Sequence, residues 1–266
     1  MPKFAFFDID GTLTSEADGR VPKSAAAALK RARENGHKLF LCSGRCLYNI
    51  EAGYFALGMS GAVMGCGSHV IAEGRELHHV SLTRAQSRSL LTVARSLGLE
   101  LLFEGAGCSL MEPCDRAPRH PVAIETRDQY HRNGLSVSTD LEDPAFAADK
   151  LCLYTTDPEK RDEFYRLALQ WLSPIDRGRG MYEMVPIGNS KATGILRVLE
   201  AYGASLDDAY AFGDSENDRS MLELVPKSVV MGNATPPSLK QSAWYLAPKA
   251  SEDGLAAALE ALGFLG

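Results

Sequence analysis

Short apolar runs recur along this chain, each closing on glycine or a small polar residue, with helix-period segments between them. Phe4-Ala5-Phe6-Phe7 runs straight into Asp8-Ile9-Asp10-Gly11. Four consecutive apolar residues suit a strand buried on both faces of a parallel sheet. Pro22 opens a predicted helix through the alanine-rich stretch to Glu34, and Gly36 is placed to cap its end. A second strand, Leu39-Phe40-Leu41-Cys42, ends at Ser43-Gly44-Arg45. Strand, helix and strand in that order predict a βαβ unit with a right-handed crossover.

The same grammar returns near the C-terminus. A helix over 191–202 puts Ile195, Val198, Leu199 and Tyr202 on one face and stops at Gly203. A strand at 209–212 runs into Gly213-Asp214, a short helix carries Met221, Leu222 and Leu224, and a strand at 228–231 ends at Gly232-Asn233. The two ends of the chain, 1–81 and 186–266, are therefore expected to build one sheet.

Over 82–185 the pattern changes. It predicts a helix at 84–97, strands near 99–103 and 109–112, and a polar stretch rich in Arg, His and Pro. A strand at 151–155, a helix at 158–172 and a last strand around 181–185 follow. The expected fold is α/β: a Rossmann-like, doubly wound parallel sheet core with a second α/β domain inserted. Val80-Ser81 and Pro186-Ile187-Gly188 are the expected hinges.

Composition narrows the class. The 266 residues, 45% hydrophobic and 23% charged, are those of an ordinary globular protein of one or two domains. A net charge of -6 gives no general attraction to nucleic acid or an anionic membrane, so a phosphorylated ligand would need local cations or a metal. No apolar stretch reaches membrane-spanning length, and the N-terminus lacks the charged and apolar regions of a signal peptide; a cytoplasmic location is expected. The six cysteines contain no CxxC pair and read as reduced, mostly buried thiols. Neither HExxH nor a Cys/His cluster at zinc spacing occurs, and His78 and His79 alternate sides if their segment is a strand.

The candidate chemistry sits where the strands end. Asp8 falls at the carboxyl end of its strand, where open α/β sheets bind ligands. Two carboxylates about 4 Å apart in an effective dielectric near 20 repel by roughly 4 kcal/mol, so Asp8 and Asp10 both ionise only beside a cation, or one keeps its proton. A turn-capping Asp with Gly11 chosen for backbone freedom is the plainer alternative. Asp214 and Asp218, four residues apart, would face one side of a helix begun there, and their oxygens suit Mg²⁺; helix capping is again the rival. Lys191 opposes the dipole of its own helix by roughly 0.3 to 1 kcal/mol, which calls for an anion facing it; a solvated lysine is the plainer alternative. Ser43 can cap the next helix while the N–H groups there hold phosphate oxygens. Arg45 reaches either a substrate, the inserted unit or solvent.

Taken in order, Asp-x-Asp-Gly-Thr at 8–12, Ser-Gly-Arg at 43–45, Lys191 and Gly-Asp-Ser-Glu-Asn-Asp at 213–218 resemble the haloacid dehalogenase (HAD)-like phosphohydrolases. The insertion between the second and third motifs resembles the Cof-type subfamily IIB, whose α/β cap is of the C2B type. The resemblance implies an Mg²⁺-dependent phosphatase acting on a small phosphorylated metabolite through an aspartyl-phosphate. On it, Asp8 is the nucleophile, Asp10 the acid and base, and Lys191 a catalytic cation. Ser43, Gly44, Arg45 and Lys191 bind the phosphoryl group. The metal set is Asp8, Asp10 through its carbonyl, Asp214, Asn217 and Asp218. Members that cleave carbon–halogen bonds lack the second carboxylate, so Asp10 favours phosphoryl transfer.

Similar proteins commonly read Asn-Gly-Ala where this chain has Cys66-Gly67-Ser68-His69, which bears on the substrate-facing shell and not on the metal. A phosphomutase of the same superfamily and a non-catalytic phosphate sensor stay open as alternatives. The expected partner is a small-molecule phosphate ester, with no nucleic acid and no membrane; oligomeric state has no signal. Specificity is expected in the inserted cap, where Tyr182, Glu183 and residues 177–179 return towards the core. Arg116, Arg119, His120, Arg127, His131 and Arg132 form a local basic stretch there, either a solvated face or a receiver for an anionic substrate.

Overall fold

A computed structural model describes residues 2–112, 117–143, 146–241 and 243–266; Cys114 and Arg116 lie outside them. Contacts divide the chain into two compact units, one made of Met1–Gly44, Glu51–His78 and Ser190–Gly266, the other of Arg45–Ile50 and His79–Asn189.

The first unit is built on an eight-stranded sheet. Its strands run Tyr245–Leu246, Lys227–Val230, Ala209–Gly213, Phe4–Phe7, Lys38–Cys42, Gly61–Met64, His69–Ala72 and Arg75–His79. The first six pair in parallel, and His69–Ala72 turns antiparallel to Gly61–Met64. Glu73 and Gly74, both at positive φ (47° and 73°), make the tight turn that follows. Phe4–Phe7 is buried throughout and lies between Lys38–Cys42 and Ala209–Gly213, so strand order reverses on its two sides. In such sheets the crevice outside the carboxyl ends at the reversal is where ligands bind. Asp8 is the residue that follows Phe4–Phe7 at that reversal.

Helix Lys23–Glu34 follows Pro22 and buries Ala25, Ala28, Leu29 and Ala32, a stripe at helical spacing. Helix Lys191–Tyr202 is fixed at both ends: Ser190 and Thr193 form a capping box, and Gly203 closes it at φ 61°. It lies close against the sheet because position 194 carries no side chain; a Cβ there would meet Val63 at 2.3 Å.

The second unit carries an antiparallel five-stranded sheet in the order Ser109–Glu112, Glu100–Glu104, Lys150–Tyr154, Met181–Pro186, Leu172–Asp176. On one face Leu101, Phe103, Leu151 and Leu153 pack with Leu90, Ala94 and Phe164 from helices Arg84–Leu97 and Pro158–Ala168. On the other, Leu102, Met111, Cys152 and Tyr154 pack with Ala123 and Tyr130 of helix Pro121–Arg132.

Three expectations change. The polar stretch contains helix Pro121–Arg132, started by Pro121 and buried chiefly at Ala123 and Tyr130, too sparse a stripe for the sequence pattern to show. The helix predicted over 158–172 stops at Ala168, and Leu172–Asp176 is an edge strand, the position that tolerates Pro174. The segment Arg45–Ile50, read with the core, groups with the inserted unit. There the N–H of Ser136 donates to the Tyr48 hydroxyl at 3.1 Å, and the Cys46 thiol lies 3.6 Å from the Glu104 carbonyl.

Candidate active site

The chain turns sharply after Asp8. The Asp8 and Ile9 carbonyls accept N–H bonds from Leu13, and Ile9 also accepts from Thr14 at 2.9 Å, closing a tight loop. Gly11 stands in this loop at φ 82°, and a Cβ on it would lie 2.3 Å from Asp214 Oδ2. Glycine is thus demanded twice, by the left-handed backbone and by the approach of a carboxylate. Asp8 is buried at the base of the loop, and Asp10 is exposed on it.

Four charged side chains meet at this point. Lys191, at the first position of its helix and fully buried, donates to Asp8 Oδ1 at 2.6 Å and to Asp218 Oδ1 at 2.5 Å. These are the anions that the helix-start position called for. The second oxygen of Asp218 accepts the backbone N–H groups of Asp214 and Ser215, each at 2.9 Å. Asp214 is held by the Thr12 hydroxyl at 3.1 Å and by the Asn233 amide at 3.1 Å. Carboxylate oxygens of Asp8, Asp214 and Asp218 all lie within 4.8 Å of one another.

Asp214 and Asp218 meet by a different route from the one their spacing predicts. Asp214 follows the strand by one residue, Glu216–Asp218 forms a single 3-10 turn, and the α-helix begins only at Arg219. Asp218 therefore folds back over its own backbone instead of sharing a helix face with Asp214. Gly213 permits this, since a Cβ there would stand 2.7 Å from the Asp218 side chain. Asn217, also buried, receives the Ser215 hydroxyl at 2.8 Å.

The electrostatics follow from burial. Asp8 is pushed up to about 7, first by desolvation and then by the charge of Asp218, with the Lys191 ammonium acting the other way. Asp214 is pushed up to about 8 by desolvation and by Asp8 and Asp218. Lys191 is held well above its usual range; desolvation, the largest influence, works against this and is outweighed by the two carboxylates. One ammonium does not balance three buried carboxylates, so Asp8 and Asp214 retain protons near neutrality unless a cation joins them. Hard oxygen donors with surplus negative charge fit Mg²⁺. One Asp218 oxygen is held by the Lys191 ammonium and the other by two backbone N–H groups. Asp214, by contrast, accepts from the neutral Thr12 and Asn233 side chains and Asp8 has one oxygen on Lys191, which leaves Asp8 and Asp214 as the better donors.

Ser43 and Gly44 are buried at the end of the neighbouring strand, where the Ser43 N–H donates to the Val63 carbonyl at 2.8 Å and the Cys66 N–H returns to the Ser43 carbonyl at 3.1 Å. Gly67, at φ 93°, runs so close to Ser190 that a Cβ would lie 2.1 Å from its carbonyl oxygen. Gly67, the residue shared with the Asn-Gly-Ala pattern, thus lets this turn pack against the helix start that carries Lys191. Burial pushes the neighbouring Cys42 thiol up, and the five described cysteines, Cys42, Cys46, Cys66, Cys108 and Cys152, are buried thiols. Arg45 belongs to the second unit, where its guanidinium donates to the Asn49 carbonyl at 3.3 Å. In that unit Glu183 is buried against Lys150 at 2.5 Å and reached by Arg177 at 3.3 Å, and Tyr182 accepts from Arg161.

Sequence reading missed Asn233, which it treated as the turn after a strand. Its only signal was position, since it follows the carboxyl end of another core strand.

A family model described as haloacid dehalogenase-like hydrolase matches residues 5–259. The chain is 30% identical over 268 residues to YkrA of Bacillus subtilis (strain 168), covering 99% of this chain and 98% of that one. It is 29% identical over 249 residues to the pyridoxal phosphate phosphatase YbhA of Escherichia coli (strain K12), covering 85% and 86% of the two chains. A solved structure from Geobacillus kaustophilus HTA426 superposes with a TM-score of 0.85 at 27% identity, covering 99% of this chain and all of the other.

Proposed function

This chain belongs to the haloacid dehalogenase-like hydrolases and is a phosphatase, and on that premise we propose that it hydrolyses a small phosphorylated metabolite, such as a sugar phosphate, with Mg²⁺ and an aspartyl-phosphate on Asp8. The observation that carries the proposal is the buried cluster itself: Asp8 at the carboxyl end of the central strand, one oxygen on Lys191, with Asp214 and Asp218 beside it.

Asp8 and Asp214, with the Asp10 carbonyl, would hold Mg²⁺, with Asn217 and Asp218 alongside, and the ion would offset the negative charge of the phosphoryl oxygens. A carboxylate nucleophile must be ionised, and burial together with the charge of Asp218 raises Asp8 to about 7 against the pull of Lys191, so a cation beside it favours the reactive form. Lys191 keeps one Asp8 oxygen in place and leaves the other for attack. An Asp8 oxygen bonds to phosphorus as the bond to the leaving oxygen breaks, and Asp10 gives that oxygen a proton. Asp10 then takes a proton from water, whose oxygen bonds to phosphorus as the bond to Asp8 breaks, releasing inorganic phosphate. The exposure of Asp10 suits a group that must exchange protons at each turnover. Ser43, the Gly44 N–H, Arg45 and Lys191 receive the phosphoryl oxygens, a mainly electrostatic role.

Residues 82–185 form the specificity cap in this reading, and the enzyme works in the cytoplasm. The named substrate of YbhA, pyridoxal phosphate, falls in the same class of small phosphomonoesters. The test is inorganic phosphate release across a panel of metabolite monophosphates, with Mg²⁺ and with chelator. Release from at least one ester in Mg²⁺ alone supports the reading, and equal release in chelator overturns the metal requirement.

A further inference from the structure

Asn233 sits outside every motif that marks the site, yet its side chain touches two parts of it. The backbone N–H of Ala250 donates to Asn233 Oδ1 at 3.0 Å, and an N–H has no other way to bond, so the amide orientation is fixed. Nδ2 is thereby turned inward, where it donates to the Gly11 carbonyl at 2.8 Å and to Asp214 Oδ2 at 3.1 Å. The Asp214 backbone is bound to the same loop as well: the Thr235 N–H donates to the Asp214 carbonyl at 2.8 Å.

The residues that aim Asn233 are closely packed. The Gly232 N–H donates to the Pro248 carbonyl at 3.2 Å, and a Cβ on Gly232 would meet the Lys249 nitrogen at 2.8 Å. Gly254 lies as close on the other side, with the Pro248 carbonyl oxygen 2.2 Å from where its Cβ would be. Two backbones are clasped here with no room for side chains. The adjacent Ser251 N–H reaches Glu16 Oε2 at 3.0 Å, so the same C-terminal turn also ties down the loop that begins at Asp8.

We propose that Asn233 is the positioning residue for Asp214: clamped by Ala250, it presents both amide hydrogens to Gly11 and Asp214 and so holds the Asp214 carboxylate and the Asp8 loop in register for a divalent cation. The inference rests on the Mg²⁺ reading above. Thr12 alone would leave Asp214 Oδ2 free to swing, and groups that orient a metal-binding carboxylate commonly change metal affinity by about 10- to 100-fold when removed.

The experiment is Mg²⁺ titration by calorimetry on the full chain, comparing wild type with Asn233→Ala and Asn233→Ser, each checked for folding by circular dichroism. The serine variant carries the test if the alanine variant does not fold. The proposal predicts a Kd for Mg²⁺ raised about 10- to 100-fold. It also predicts that saturating Mg²⁺ restores kcat to within about threefold of wild type, a rescue that a general loss of structure would not show. A folded variant that binds Mg²⁺ within twofold of wild type overturns the role of Asn233. A wild-type protein that takes up no Mg²⁺ overturns the metal reading itself, and the two failures are distinct.

Discussion

The Lys191 ammonium lies 2.5 Å from Asp218 Oδ1, with both side chains fully removed from solvent. The pair does not stand alone, because Lys191 also binds Asp8 and Asp218 also binds two backbone N–H groups. Removing the cation leaves three buried carboxylates facing one another. Lys191→Met is therefore expected to cost about 3 kcal/mol or more in urea denaturation at pH 7.5, in the range for one partner lost from a buried pair. Phosphate release by the same variant should fall by at least about a thousandfold.

Stability of the metal-free protein should fall as pH rises. Asp8 and Asp214 have folded values of about 7 and about 8 against an ordinary value of 3.8, so the folded state binds their protons more tightly than the unfolded one. That contribution is complete below about pH 4 and is lost as pH climbs through 7 and 8. Thermal melts in chelator should drop by on the order of 5 °C between pH 5 and pH 8.5. The drop should shrink with Mg²⁺ present, since a cation that binds only the folded state stabilises it by mass action.

Asp214→Asn separates charge from shape. The amide keeps the volume, its oxygen can accept from Asn233 while its NH2 donates to the Thr12 hydroxyl, and it removes one of the like charges. In chelator at pH 8 the variant should melt at or above the wild-type temperature, and Mg²⁺ should no longer raise the melt. Differential scanning calorimetry with and without Mg²⁺ checks both.

Gly11→Ala attacks the same carboxylate from the other side. Its Cβ would lie 2.3 Å from Asp214 Oδ2 and 3.1 Å from Asn233 Nδ2, in a backbone at φ 82°. A left-handed conformation costs a non-glycine residue roughly 1 to 2 kcal/mol before any clash. Activity should drop at least tenfold, with a loss of about 1 to 3 kcal/mol in chemical denaturation.

The residues of the cluster were legible in the sequence because each follows an apolar run. Asp8, Ser43 and Asp214 sit one residue past a buried strand, and Lys191 sits just inside a capped, amphipathic helix. What the pattern hid was how Asp218 arrives. Spacing of four suggests a helix face, but Gly213 lets the chain fold into a 3-10 turn that brings the Asp218 carboxylate back onto its own backbone. Asn233 was hidden for another reason: Gly-Asn after a strand is ordinary turn chemistry, and only the clasp against residues 248–250 turns the amide inward. Helix Pro121–Arg132 escaped because its buried face is two residues wide.

The central claim is that Asp8 forms the bond to phosphorus. It is tested most directly by Asp8→Asn, assayed for inorganic phosphate release beside wild type with saturating Mg²⁺ and whichever ester wild type hydrolyses fastest. The account predicts a folded protein, with an unchanged circular dichroism spectrum and turnover at least about a thousandfold lower. A folded Asp8→Asn protein that releases phosphate at the wild-type rate would contradict it.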